Sequence, residues 1–97
     1  MSGDFKRRIL GMIGRAILTA LDDGKGLQVV QVEAFAGEIR DGIERPQDYG
    51  LTSVPPAGAE CIIAAIGGDR GRMVILSAND RSKRPTGLAE GDTALWS

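Results

Sequence analysis

Three carboxylates, one thiol and one glycine-rich loop are the places where this sequence offers reactive groups. Asp22 and Asp23 stand side by side ahead of Gly24-Lys25-Gly26. A calcium loop needs further oxygen ligands at alternating positions, and a lysine with two glycines supplies none. Glu60 is a third carboxylate, and solvation at a surface is the ordinary role for all three. Cys61 is the sole cysteine, so no intrachain disulfide forms. With Glu60 before it and Ile62-Ile63 after it, Cys61 reads as a buried thiol acting as a small hydrophobe, not as an activated nucleophile. The chain has no histidine. That removes His-ligated metals, Ser-His and Cys-His pairs and the commonest general base. Gly67-Gly68-Asp69-Arg70 lacks the Lys-Ser/Thr ending of a phosphate-binding loop. The inventory points to a chain that is not an enzyme and holds no metal, nucleotide or redox cofactor.

The elements that would carry these groups are short. A chain of 97 residues makes one domain with one modest core. Glycine supplies 14 residues, about twice the average share, which calls for many tight turns. Twelve basic side chains against 13 acidic ones leave a net charge of −1, which favours neither nucleic acid nor an anionic membrane. The start, Lys6-Arg7-Arg8 followed by Ile9 to Ile13, is too short and too broken by Gly11 and Arg15 for a signal peptide, and no run reaches the length of a membrane span. Phe5, Ile9, Met12 and Ile13 recur at helical spacing, so residues 1–13 read as a leader or a short helix capped by Asp4. The basic triplet there is a solvated face.

The remainder, residues 14–97, reads as strands. Arg15 to Leu21 is the first. Asp23-Gly24 and Gly26 then give a hairpin signal. Leu27 to Ile39 is a long second strand with Val30, Val32, Ala34 and Ala36 on one face. Phe35 and Val29 fall out of phase, which calls for a bulge or a strand serving two surfaces. Gly37 is the natural bend, and Ile43 to Arg45 makes a brief return. The segment Asp48 to Glu60 is a rigid connector, because Pro55 and Pro56 fix φ and force the residues before them into extended backbone. Ala59 to Ile66 and Arg72 to Ala78 are the third and fourth strands, joined by the Gly67-Gly68 turn. Thr93 to Trp96 is the fifth.

Ile62 to Ile66 and Met73 to Leu76 show no alternation of polarity. A sheet in a chain this small buries one face and wets the other. Two apolar faces therefore argue for self-association. Phe35, Ile63, Val74 and Leu76 are the candidate interface side chains. The architecture expected is all-β: a small five-stranded Greek-key barrel of the oligonucleotide/oligosaccharide-binding (OB) type. That type of fold opens one alternative, a module for single-stranded nucleic acid. Such a module needs a basic groove and aromatic platforms, and this chain has only Phe35 and Tyr49 to offer with the wrong net charge.

Tyr49-Gly50-Leu51-Thr52-Ser53-Val54-Pro55-Pro56-Ala57-Gly58-Ala59-Glu60, followed by Gly67-Gly68-Asp69-Arg70, resembles the phage Mu-type baseplate assembly protein V family. These are the central spike proteins of contractile tails. Gly14-Arg15, Val30-Gln31-Val32, Asp80-Arg81, Arg84-Pro85 and Gly87 to Leu95 continue the resemblance, which starts near Gly14. It implies an N-terminal OB-like domain, a homotrimer and a place under the tail hub, in a virion assembled in the bacterial cytoplasm. Within it Tyr49, Thr52, Ser53, Pro55, Pro56 and Gly58, with Gly67, Gly68, Asp69 and Arg70, are structural turns. The resemblance implies that relatives continue into a trimeric β-helix stem that pierces the envelope, a segment expected to be absent here. It implies partners among tail hub and baseplate proteins, with no nucleic acid and no direct membrane contact by this domain.

Overall fold

A computed structural model describes residues 13–34, 37–69 and 71–97 of the chain. Among the described residues there are five strands, β1 (Ile13–Asp22), β2 (Val29–Glu33), β3 (Ile39–Glu44), β4 (Glu60–Ala65) and β5 (Met73–Asn79), with a short 3-10 turn at Ile66–Gly68. They close into a barrel in the order β1-β2-β3-β5-β4. Every pairing is antiparallel except β3 with β5, which is parallel and rests on one residue pair, Glu44 with Val74.

The longest strand makes closure possible. The first half of β1, Ile13 to Ile17, pairs with β4, and the second half, Ile17 to Asp22, pairs with β2. Ile17 faces Glu60 on one side and Glu33 on the other. β1 is thus divided along its length between two partners, whereas β2 pairs with β1 and β3 over the same residues.

The expected second strand, Leu27 to Ile39, is two strands. It ends at Glu33, turns, and returns as β3. Gly37 sits in the turn with φ +73°, a backbone that a side chain would strain, and the Ala34 N–H donates to the Glu38 carbonyl at 2.7 Å. The brief return at Ile43 is therefore part of a full strand. The bulges fall on the neighbours of β2. One lies between Leu18 and Ala20 of β1, and one at Asp41-Gly42 of β3, so that both stand against Gln31. The Thr19 hydroxyl lies 3.1 Å from both the main-chain and the side-chain oxygen of Gln31.

Thr93 to Trp96 forms no strand, which corrects the expected fifth element. The barrel closes without it. After Asn79 the chain leaves in a turn organised by Asp80, whose carbonyl accepts from the Lys83 and Arg84 N–H groups at 3.1 and 3.0 Å. Residues beyond run as irregular backbone, with Leu95 87% exposed. The helix expected within residues 1–13 falls, apart from Ile13 in β1, outside the described residues.

The core is the barrel interior: Ala16, Leu18, Val30, Val32, Ile43, Ala59, Cys61, Ile63 and Ile75. β4 alternates strictly, with Cys61, Ile63 and Ala65 buried and Ile62 and Ala64 half-buried outside. Uniform apolar composition therefore conceals a regular inside–outside alternation. In β5 a register shift opposite Ile62/Ile63 leaves Leu76 as the extra residue, between Ile75 inside and Ser77 outside.

Candidate functional site

Two surfaces stand out on this barrel, and both are built from segments singled out in the sequence. The first is the connector between β3 and β4. Arg45 follows β3 directly and holds the connector in place. Its Nη1 donates to the Ser53 carbonyl at 2.9 Å and to the Gln28 amide oxygen at 2.8 Å. The Gln28 amide nitrogen donates in turn to the Ser53 carbonyl and to an Asp23 carboxylate oxygen, each at 3.0 Å. Gln28 is 4% exposed, so these bonds satisfy a side chain that burial would otherwise penalise. Burial lowers the Arg45 pKa, with the Cys61 thiol a smaller opposing influence.

Further along the connector, the Gln47 amide oxygen accepts from the Ser53 N–H at 2.8 Å, and its nitrogen lies 3.3 Å from the Thr52 hydroxyl. The Gly58 N–H donates to the Leu18 carbonyl at 2.8 Å, where the connector rejoins the barrel. Pro55 is half-buried and Pro56 exposed, and the Pro56 carbonyl accepts from the Ala59 N–H. Tyr49, Leu51 and Val54 are left pointing into solvent, Tyr49 completely so. The connector is thus a clamped loop that displays apolar and aromatic side chains. A groove of about 990 Å³ runs beside it, walled by the connector, by Ile75 to Asn79 of β5 and by residues 94–97.

The second surface is the outer face of β1, β4 and β5. Ile13 and Ile17 are exposed on β1, Ile62 is half-buried on β4, and Leu76 is 59% exposed on β5. Val74 is half-buried beside them. Ile63 was expected on this face, but it is 4% exposed and belongs to the core, because the pleat turns it inward and Ile62 outward. Phe35 lies outside the described residues.

The turn after β4 is tight. Gly67 and Gly68 have φ of +61° and +79°. Asp69 closes the turn by accepting from the Gly71 N–H at 2.9 Å, and the Ile66 N–H donates to the Arg72 carbonyl at 2.7 Å. Arg70 is outside the described residues.

The three carboxylates singled out in the sequence, Asp22, Asp23 and Glu60, have structural partners. Asp22 accepts from the Gly24 N–H at 2.9 Å, Asp23 holds Gln28, and Glu60 pairs with Arg81. That pair is two-pronged, with Nη2 to Oε2 at 2.7 Å and Nε on Oε1. The hydrogen bond from Arg81 is the main reason that the Glu60 carboxyl titrates below its ordinary range. Burial pushes the Cys61 thiol up, with Arg45 opposing, so the thiol is kept in its unreactive form. Among the described residues no three His, Cys, Asp or Glu side chains gather as a metal site. Sequence reasoning missed Arg45, Gln28 and Arg81 as clamps. Only the tertiary fold brings Gln28 within reach of Ser53, 25 positions away.

Residues 15–82 match the family described as Bacteriophage Mu Gp45, N-terminal. The matched span begins in β1, covers all the later strands and both motif segments, and ends in the Asp80 turn. The chain belongs to this family. Among its relatives, the baseplate puncturing device gp45 of Escherichia phage Mu is 39% identical over 90 residues, covering 93% of this chain and 46% of that protein. The Mu-like prophage FluMu protein gp45 of Haemophilus influenzae (strain ATCC 51907 / DSM 11121 / KW20 / Rd) is 37% identical over 91 residues, covering 94% and 50%. The chain therefore spans about half the length of these Mu Gp45 relatives. No solved structure matches it significantly.

Proposed function

We propose that this chain is a structural part of a contractile phage tail baseplate, the OB-type barrel at the base of the central spike, which joins the piercing spike to the tail hub. The observation that carries this is the family membership over residues 15–82, together with a relative named as a baseplate puncturing device. The role is mechanical and not catalytic. A spike base must hold its partners in fixed orientation, and the clamped connector suits that: Arg45, Gln28 and Ser53 tie it to the barrel while Tyr49, Leu51 and Val54 face outward. Fixing the loop in advance lowers the entropy lost on docking to another baseplate protein. In purified tail particles containing this chain, an antibody against it labels the baseplate end. Label along the tube or on the head overturns the proposal.

The barrel assembles as a homotrimer through the outer face of β1, β4 and β5. The exposed aliphatics Ile13, Ile17 and Leu76 support an interface there. Threefold order rests on the resemblance to trimeric central spikes, and a closed ring satisfies head-to-tail contacts without growing into a fibre. Sedimentation equilibrium across a wide concentration range shows a monomer–trimer equilibrium. A stable dimer overturns the symmetry, and a monomer at the highest concentration overturns the interface.

A further inference from the structure

The chain contains two aspartates that directly precede glycine, Asp23-Gly24 and Asp41-Gly42. An aspartate before glycine is prone to a spontaneous rearrangement, because no side chain shields the next amide nitrogen. Both pairs are exposed, so access of water does not separate them. Their geometry does.

At Asp41 the side chain is folded onto the amide that would attack it. The Gly42 N–H donates to Oδ1 of Asp41 at 2.8 Å. The pair occupies the bulge of β3 opposite Gln31, where two residues answer one and the ladder is locally interrupted. Gly42 has φ +68°, and a Cβ built there would meet nothing within 4 Å, so that side of the glycine is open.

At Asp23 the same two groups are each engaged by another partner. The Gly24 N–H donates to Asp22, at 2.9 Å, instead of to Asp23. The Asp23 carboxylate accepts from the Gln28 amide at 3.0 Å. Gln28 is itself buried and fixed by Ser53 and Arg45.

We propose that Asp41 is a site of spontaneous isoaspartate formation in the folded protein, and that the clamp on Asp23 protects the second Asp-Gly pair. The Gly42 nitrogen attacks Cγ of the Asp41 carboxylic acid. The N–Cγ bond forms, the nitrogen loses its proton, and the carboxyl oxygen leaves as water. The product is a five-membered succinimide. Water then adds to one of its two carbonyls. Cleavage of the N–Cγ bond restores aspartate, whereas cleavage of the bond from nitrogen to the original main-chain carbonyl leaves isoaspartate. No oxidant or cofactor takes part, and the mass returns to its starting value. The extra main-chain methylene falls inside β3 and disturbs its register with β2.

The test is prolonged incubation of the purified chain at mildly acidic pH, folded and in urea, followed by peptide mapping. Electron-transfer fragmentation identifies isoaspartate, and a protease that cuts before aspartate fails at residue 41 once it has rearranged. In the folded protein isoaspartate builds up about tenfold or more faster at residue 41 than at 23, the scale on which small changes of position alter intramolecular reactions. In urea the two rates converge. The Asp41→Glu variant, whose longer side chain would need a six-membered ring, gives no such product at 41 and leaves residue 23 unchanged. Equal or faster reaction at Asp23 in the folded protein overturns the proposal, as does absence of product at 41. A preference of equal size in urea traces the difference to neighbours such as Lys25 and Ile43 and also overturns it.

Discussion

Arg45 and Ser53 are joined twice, once through the Ser53 carbonyl at 2.9 Å and once through its hydroxyl at 3.3 Å. Ser53 lies eight positions after Arg45, so this contact fixes the first half of the connector to the end of β3. Arg45→Ala removes both bonds and takes the Arg45 donor from the Gln28 amide oxygen, while the Ser53 carbonyl keeps only the Gln28 amide nitrogen. Hydrogen bonds to a charged group contribute about 1.5–3 kcal/mol, and the exposed setting of the Ser53 contacts favours the lower end. Urea unfolding of this variant shows a loss of about 1–2 kcal/mol, and limited proteolysis cuts the connector faster while the barrel stays folded. Unchanged proteolysis would show that the prolines alone hold the loop.

The Glu60–Arg81 pair gives a pH signature. The folded state holds the Glu60 pKa below its ordinary value of 4.5, chiefly through the hydrogen bond from Arg81. A lowered acid pKa adds stability above the unfolded value, and that stability is lost as pH falls through the folded one. Both side chains are solvent-screened, so the effect is small. Melting temperature measured against pH separates wild type from Glu60→Gln at neutral pH, and the two curves converge in acid below about pH 4.5. Asp80, whose pKa the Ser82 hydroxyl holds down, makes the same acid-side contribution in both proteins. Curves that stay parallel to the lowest pH would remove Glu60 from the account.

Much of the barrel was legible because β-structure leaves marks at short range. Asp23-Gly24, Gly37 and Gly67-Gly68 each announce a turn, and Val30 and Val32 announce a buried face. What stayed hidden depends on distance along the chain. Nothing near Ile17 reveals that it pairs with both β2 and β4. Thr-Ala-Leu-Trp has strand-forming residue types, yet the sheet had already closed through Glu44 and Val74. Ile62 and Ile63 are chemically alike, so only the pleat distinguishes the outward one from the core one. The clamp around Gln28 was invisible for the same reason, since its partners lie 5, 17 and 25 positions away.

The tail beyond the Asp80 turn contributes little to the barrel. Closure is complete at Asn79, and the family match ends at residue 82. Truncation after Arg84 removes Leu95 and Trp96, which are 87% and 43% exposed. Exposed segments without buried apolar contacts fall within about 0.5 kcal/mol when altered. The truncated chain unfolds cooperatively at nearly the same urea midpoint as the parent. A truncation that fails to fold would mean that the tail, seated along the groove beside β5, is part of the core after all.

Ile75 and Leu76 are adjacent in β5 and differ completely in environment, with exposures of 1% and 59%. The bulge at Leu76 turns it away from the core that Ile75 fills. Replacement of each by alanine therefore separates folding from assembly. Ile75→Ala leaves a cavity in the core, beside its cross-strand partner Ile63, with a cost of about 2–5 kcal/mol, a large share of the stability of a domain this size. Leu76→Ala costs less than about 1 kcal/mol in the isolated barrel, because most of the side chain is already in water. If the outer face joins copies of the chain, the charged variant Leu76→Asp keeps the barrel's circular dichroism and its cooperative unfolding but sediments as a monomer. The cost of placing a carboxylate in a covered apolar interface without a partner is what drives the subunits apart. A Leu76→Asp protein that still associates like the wild type moves the interface to the connector side, where Tyr49, Leu51 and Val54 are the next exposed apolar group. A Leu76→Asp protein that unfolds would show that the Leu76 side chain helps to hold the barrel together and does not merely cover its outer face.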